Sequence, residues 1–368
     1  MNGIGSLLSA EPLLVEISQY VLFILGITAA FFLLFIIIHK SVTEFKEKQK
    51  IKYLGRYESK LRKYVIDEEP IDFSAKSSLE YEALAQTAIE RIFSFSMKEE
   101  REKIHNILSA TSVLRRYLKR ARSSSWIKRF YAVGKLGYFQ MEKLRPFFLE
   151  FINYEKVDVV KAKAVVGLSL IADIPSLIRI IHVLSGELKI SSKYNEYVLT
   201  NAVKSFQKRR EETELISHLR DLKYDEHITV GVKKDIIEAC GSAEFKESFV
   251  LIEEYWKSLN HNPIMRISCV RALYRIEDSQ GCSIIQNGAQ DEDQRVRATA
   301  ARALSICGTS GIPYLRELLY DSFYFARINS ARALASLGEA GIEALNEERD
   351  SRDRFVRDTV SYMLEKAG

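Results

Sequence analysis

Apolar residues follow two different rules along this chain. Near the N-terminus, Val21–Ile38 (VLFILGITAAFFLLFIII) runs eighteen residues without a charge. With Ile17–Tyr20 ahead of it, the run is long enough to cross a hydrocarbon core of about 30 Å as a helix. Further along, short apolar patterns return at helical spacing, as in VLTNAVKSF (198–206), MRISCVRAL (265–273) and VRATAARAL (296–304). Such patterns open at Ile127, Val160, Val198, Val232, Met265, Val296, Ala326 and Val356, at intervals of 33, 38, 34, 33, 31, 30 and 30 residues. Shorter helices are predicted ahead of most of them, at Leu144–Ile152, Pro175–Leu184, Thr213–Leu222, Glu244–Leu259, Pro313–Leu319 and Ile342–Glu348. Pro175 and Pro313 fall where a first helical turn tolerates proline. Residues 79–122 read as further helix, and 66–78 (IDEEPIDFSAKSS) as a linker.

The last three copies share one frame: Gly281/Gly311/Gly341, Val296/Ala326/Val356, Arg297/Arg327/Arg357, Ala301/Ala331/Ser361 and Leu304/Leu334/Leu364. One such unit cannot bury its apolar face alone, so the copies must stack. Small residues at 301, 303, 331 and 333 let neighbouring helices approach closely. The expected fold is all-α: a right-handed α-solenoid preceded by one transmembrane helix. Its parts are a short extracytoplasmic tail (1–17), the transmembrane helix (18–39), a basic juxtamembrane helix and linker (40–78), a helical N-terminal cap (79–123) and the solenoid (124–368).

Charge orients the apolar run. Residues 40–63 carry nine basic groups (Lys40, Lys46, Lys48, Lys50, Lys52, Arg56, Lys60, Arg62 and Lys63) against Glu44, Glu47 and Glu58, a net of +6. Positive flanks stay in the cytoplasm. The expected location is therefore the plasma membrane, single-pass, with the N-terminus outside and the solenoid inside. Residues 1–19 hold no Lys or Arg, and Ile-Ile-Ile-His-Lys follows the run where a cleaved signal would place small residues. Lys40, Lys46, Lys48, Lys50 and Lys52 are candidates for contact with an anionic lipid surface. Cys240, Cys269, Cys282 and Cys307 form no CxxC pair, and three of them sit inside repeat frames, so reduced, buried thiols in a cytosolic compartment are expected. The six histidines are scattered, which argues against a metal cluster.

Asp291…Val296-Arg297…Ala301-Arg302-Ala303-Leu304 and Asp321…Ala326-Arg327…Ala331-Arg332-Ala333-Leu334 resemble the HEAT repeat family. The 30-residue form is similar to the HEAT-like repeats of the phycobilin-lyase type. The resemblance is close over residues 264–368, looser over 124–263 and weak before that. It implies a solenoid that binds protein, nucleic acid or cofactor, and it specifies no chemistry. It also implies that Arg297, Arg327 and Arg357, which follow an acidic loop, bridge consecutive repeats by Asp–Arg pairs; the competing reading is an anion-binding ladder.

Arg271, Arg302 and Arg332 form a second column, beside the buried face of helices that in this family usually line the concave surface. With Lys204 they make a candidate stripe for an acidic partner, as against a merely solvated face. Arg115, Arg116, Lys119, Arg120 and Arg122 form a second basic patch for a lipid headgroup or membrane partner. Trp126, beside it, reads as a core residue. A HEAT-like deoxyhypusine hydroxylase would require repeated His-Glu pairs for iron, and no His here precedes Glu. GxGxxG, Walker A, GxSxG and HExxH are absent. The function expected is a non-catalytic, membrane-anchored scaffold or accessory subunit without cofactor, binding a protein partner, itself a membrane protein or complex. Membrane-tethered HEAT proteins of this kind resemble accessory subunits of envelope glycosyltransferase complexes. The competing classes are a lyase-type enzyme with an unrecognised site and a membrane-localised nucleic-acid binder; no nucleic acid is expected.

Overall fold

In a computed structural model the described residues are 11–94, 97–188, 191–258 and 261–367, and side chains are described from Ser18. Most of the expected tail, 1–17, lies outside them. Every regular element among the described residues is helical, and the chain divides into two compact units, 1–116 and 117–368. The repeat-bearing unit thus begins at Tyr117, ahead of the boundary expected at 124.

In the first unit α1 runs unbroken over Glu11–Val65. The apolar run and the basic flank are therefore one helix of 55 residues, about 80 Å long. From Tyr20 to Ile38 its large apolar side chains are exposed all round, and nothing in the fold covers them. The window is long and apolar enough to cross a membrane. The C-terminal part of α1 packs against α2 (Ser78–Ser94) and α3 (Lys98–Ala110). Tyr57, Leu61 and Val65 from α1 meet Ala83, Leu84, Ile92, Ile104 and Leu108 in a small core. The linker folds back on α1: the Tyr57 hydroxyl donates to Ser74 O at 3.1 Å, and Lys60 reaches Asp72 O. α4 (Val113–Ala121) follows.

In the second unit fifteen helices alternate. The odd-numbered ones are α5 (Trp126–Tyr138), α7 (Asp158–Ser169), α9 (Ser192–Arg209), α11 (Val230–Ser242), α13 (Pro263–Ile276), α15 (Gln294–Ala303), α17 (Tyr324–Ser336) and α19 (Arg354–Ala367). The even ones are α6 (Arg145–Tyr154), α8 (Ile174–His182), α10 (Glu212–Asp221), α12 (Phe249–Ser258), α14 (Cys282–Ala289), α16 (Ile312–Leu319) and α18 (Glu339–Glu347). Each odd helix packs on the next odd helix, and each pair closes on itself, so the core is continuous along the stack.

Local signals set the helix starts. Ser191, Thr229, Asn262 and Asp293 each accept a backbone N–H of the first turn of α9, α11, α13 and α15. The last two repeats turn through Gly308 (φ 58°, ψ −141°) and Gly338 (φ 67°, ψ −146°), a region that side chains exclude. Close approach does the rest: a Cβ on Gly241 would lie 2.6 Å from Ala272 Cα, across the α11–α13 contact.

Three expectations need correction. α14 was missing from the predicted helices, because CSIIQNGA has only two large apolar residues, Ile284 and Ile285, and no proline at its first turn such as marks the equally short α16. Ile127 and Trp126 are surface residues, 50% and 49% exposed, since α5 buries Ala132, Val133 and Leu136 instead. Cys282 and Cys307 are joined as a disulfide, with Cα atoms 5.7 Å apart, while Cys240 and Cys269 are free and buried. The repeat frame places Cys282 at the start of α14 and Cys307 in the turn after α15, where the chain doubles back.

Candidate functional site

Two arginine columns run along the odd helices, and packing separates their roles. The first, basic throughout, follows Val160, Met265, Val296, Ala326 and Val356 by one position and Ile127 by two. The Arg297 guanidinium holds Asp321 of the next repeat with two bonds, Nε to Oδ2 at 2.6 Å and Nη2 to Oδ1 at 3.0 Å, and donates to the loop carbonyls of Asp291 and Glu292. Arg266–Asp291, Lys161–Glu187 and Arg129–Glu155 repeat this bridge at 2.7, 3.3 and 2.7 Å. Burial works against the Asp321 charge, but the hydrogen bonds from Arg297 and Phe323 N–H outweigh it, so its pKa falls below the ordinary carboxylate range. Arg327 and Arg357 keep only the loop half of the arrangement, donating to Asp321 O and Ser351 O. Ser351 stands where Asp321 and Asp291 stand in the earlier copies, so the Arg327 bridge lacks its carboxylate.

The second column lies six positions after each frame residue: Lys204, Glu238, Arg271, Arg302 and Arg332 on α9, α11, α13, α15 and α17. The expected stripe of Lys204, Arg271, Arg302 and Arg332 is therefore broken by an acid. Glu238 is 4% exposed, and burial raises its pKa against the pull of Arg275 and Arg271. It takes Arg275 at 2.9 Å and reaches Arg271 at 3.6 Å. Lys204 is exposed on the far side of Glu238, away from the arginines.

Arg271 and Arg302 line one groove of about 660 Å³ over α13, α15 and α17, together with Arg275, Arg295, Tyr274 and Phe325. Ile267, Ala298, Thr299, Phe323 and Asn329 complete its wall. The Arg302 guanidinium stacks over the Tyr274 ring at 5.2 Å. The Phe323 and Phe325 rings meet edge to face at 5.4 Å. Arg295 is paired with Asp293, whose carboxyl is held down to about 2, chiefly by the Arg295 hydrogen bond. No carboxylate among the described residues pairs with Arg302 or Arg332. Arg275, Arg295 and the aromatic residues had no sequence signal of their own; Tyr274 and Arg275 lie one turn after Arg271, the others further from the column, and only packing gathers them.

The other basic candidates disperse. Lys40, Lys46, Lys48 and Lys52 are exposed and Lys50 half-buried, and at 100° per residue they point around α1 as a collar rather than along one face. Arg115 and Lys119 on α4, and Arg122 just after it, are exposed. Arg116 is spent on the Tyr81 ring at 5.0 Å and on Ser78 Oγ at 3.1 Å, and Arg120 lies over Tyr117. Among the described residues no three His, Cys, Asp or Glu gather as metal ligands.

A family profile described as HEAT repeats matches residues 256–335 and 287–365. Residues 256–365 are HEAT repeats. The groove lies within them. Among solved structures the chain is similar to a mutant of Kap121p, at 12% identity and a TM-score of 0.49, over 85% of this chain and 42% of that one. It is also similar to an engineered protein (16%, TM-score 0.35, over 88% and 95%) and to human deoxyhypusine hydroxylase (12%, TM-score 0.29, over 87% and 98%). Among curated proteins none matches the chain by sequence.

Proposed function

We propose that this protein is a non-catalytic, membrane-anchored scaffold whose HEAT repeats hold a protein partner at the cytoplasmic face of the plasma membrane. The observation that carries the reading is the groove over α13, α15 and α17, where arginines and aromatic rings converge on an open face and Arg302 has no internal carboxylate. Such a lining suits anchoring a polypeptide: rings bury apolar side chains, and arginines meet carboxylates by two bonds at once. The uncovered apolar run of α1 supports an anchor, because a helix apolar all round must be buried or in a membrane. The net charge of +6 after it supports a cytoplasmic repeat unit. The anchor then raises the local concentration of the groove near membrane partners.

The lysine collar acts chiefly on topology. For a helix along the membrane normal, Lys52 lies about 18 Å beyond Lys40, more than two Debye lengths at physiological salt. Only Lys40 and Lys46 then lie within reach of headgroups.

The test uses full-length tagged protein cross-linked in living cells and purified in mild detergent. Changing Arg271, Arg302 and Arg332 together to Glu is expected to release the cross-linked partner while membrane association and the melting curve stay as in wild type. Full retention of the partner by the folded triple variant sinks the reading.

A further inference from the structure

The groove is selective in a way that goes past general acid binding. This inference rests on the proposed partner-binding function and specifies the partner's chemistry. We propose that the groove, continued to Arg332 on α17, is a ruler for an acidic peptide in the polyproline II conformation. Carboxylates at i, i+3 and i+6 meet Arg271, Arg302 and Arg332, and an apolar side chain between the first two seats against Tyr274 and Phe325.

The spacing follows from the fold. Arg271, Arg302 and Arg332 occupy the same register on three helices packed in succession. Neighbouring packed helices lie about 8–10 Å apart. A polyproline II chain turns once every three residues and advances about 3.1 Å per residue, so carboxylates three residues apart share one face, span about 9 Å and match one helix step. A helical ligand rises about 1.5 Å per residue and would need a spacing near seven.

Acids stand beside the groove, behind the arginines that line it. Glu238 and Glu196 flank Arg275, and Asp293 flanks Arg295. A uniformly charged polyanion laid along the face meets these acids at short range and is repelled. A peptide with carboxylates only at the ruler positions avoids them. The cations are graded too. Arg302 touches only an aromatic ring, and no carboxylate among the described residues holds Arg332. Arg271, with its side chain 55% exposed, is partly held by Glu238. Glu238 is therefore an internal competitor for the peptide's first carboxylate.

That competition gives a test with a gain as well as a loss. Full-length protein in detergent micelles is titrated into fluorescein-labelled peptides and followed by anisotropy over a range of NaCl. The ruler peptide carries Glu at i, i+3 and i+6 and Phe at i+2. One control has the same composition with the three Glu adjacent, a second has Glu at i and i+7, and a single-stranded oligonucleotide is the competitor. The ruler peptide is expected to bind about tenfold more tightly than either control and to weaken with salt. Arg302→Gln is expected to lose about tenfold in affinity, the scale of one charge-assisted pair. Glu238→Gln is expected to tighten binding, because it frees Arg271, while Arg275 stays paired with Glu196. Tyr274→Ala weakens the Phe-bearing peptide and leaves a Phe→Ala version unchanged.

Equal binding of the adjacent-Glu peptide, tighter binding of the i, i+7 peptide, or displacement by the oligonucleotide at lower concentration each overturns the ruler. So does an unchanged affinity in both Arg302→Gln and Glu238→Gln. If no peptide binds while the triple arginine variant still releases the cellular partner, the ruler falls and the scaffold reading stands. If that variant keeps its partner, the scaffold reading falls as well.

Discussion

Arg297 and Arg302 sit five residues apart on one helix and do opposite things. Arg297 is pinned by two bonds to Asp321, itself largely buried, so Arg297→Ala strands a carboxylate without its partner. The expected cost is about 3 kcal/mol, read as a lower melting temperature. Arg302→Ala removes a surface side chain and is expected to cost under about 0.5 kcal/mol. Equal losses at the two positions contradict the assignment. Protonation reports on the same bridges. Asp321 and Glu155 are depressed by their arginines and Asp293 lies at about 2. A depressed folded-state pKa means stability present above the unfolded value, near 4, and lost as pH falls through the folded one. Glu238 is raised by burial and has the opposite sign: its charged form weighs against the fold once pH rises through its folded pKa. Melts from pH 7 downward are expected to stay level to about pH 4 and then fall steeply. Asp321→Asn flattens that fall. A decline beginning well above pH 5 places the decisive titration elsewhere.

At the scale of elements, stacking depends on small residues where odd helices touch. Gly241 faces Ala272 so closely that any Cβ must push α11 from α13. Gly241→Val is expected to cost about 1–3 kcal/mol by overpacking, and Ala333→Leu, buried in α17, a similar amount. Denaturant titration measures both, and an unchanged midpoint for either shows that the contact yields. Ala333 was legible in the sequence because small residues recur at 301, 303, 331 and 333; Gly241 was not, since only the α11–α13 contact shows its role. The odd helices were legible from the period, since seven of the eight frame residues mark buried positions and only Ile127 does not. α14 was not legible, because Ile284 and Ile285 are its only large apolar residues, whereas the equally short α16 opens on Pro313. Trp126 was misplaced because size and apolarity favour burial, whereas its register on α5 turns it outward.

At the scale of the whole molecule, topology and redox state meet. In the proposed topology, which the charge flanking the apolar run supports, the repeats lie in the cytoplasm. The Cys282–Cys307 bond belongs by habit to an oxidising space. The Cα spacing of 5.7 Å lets the bond form, and the compartment decides whether it does. A reporter active only in the cytoplasm, fused at the C-terminus, is expected to be active. Protease added to intact cells is expected to spare the repeats. Digestion from outside reverses the orientation.

The repeat architecture, the apolar run and its basic flank are properties of sequence alone, because period, length and charge are one-dimensional quantities that any folding of this chain must satisfy. The groove is different. Tyr274, Arg275, Arg295, Phe323 and Phe325 are far apart along the chain and acquire a common wall only when α13, α15 and α17 pack. Glu238 shows the same dependence: it stands at the stripe position of its own repeat, but that it is buried and holds Arg275 follows from the neighbouring helix. Periodicity assigns a residue to a face; the identity of what lies opposite it, and so its charge state and availability to a partner, is fixed only by the packing between repeats.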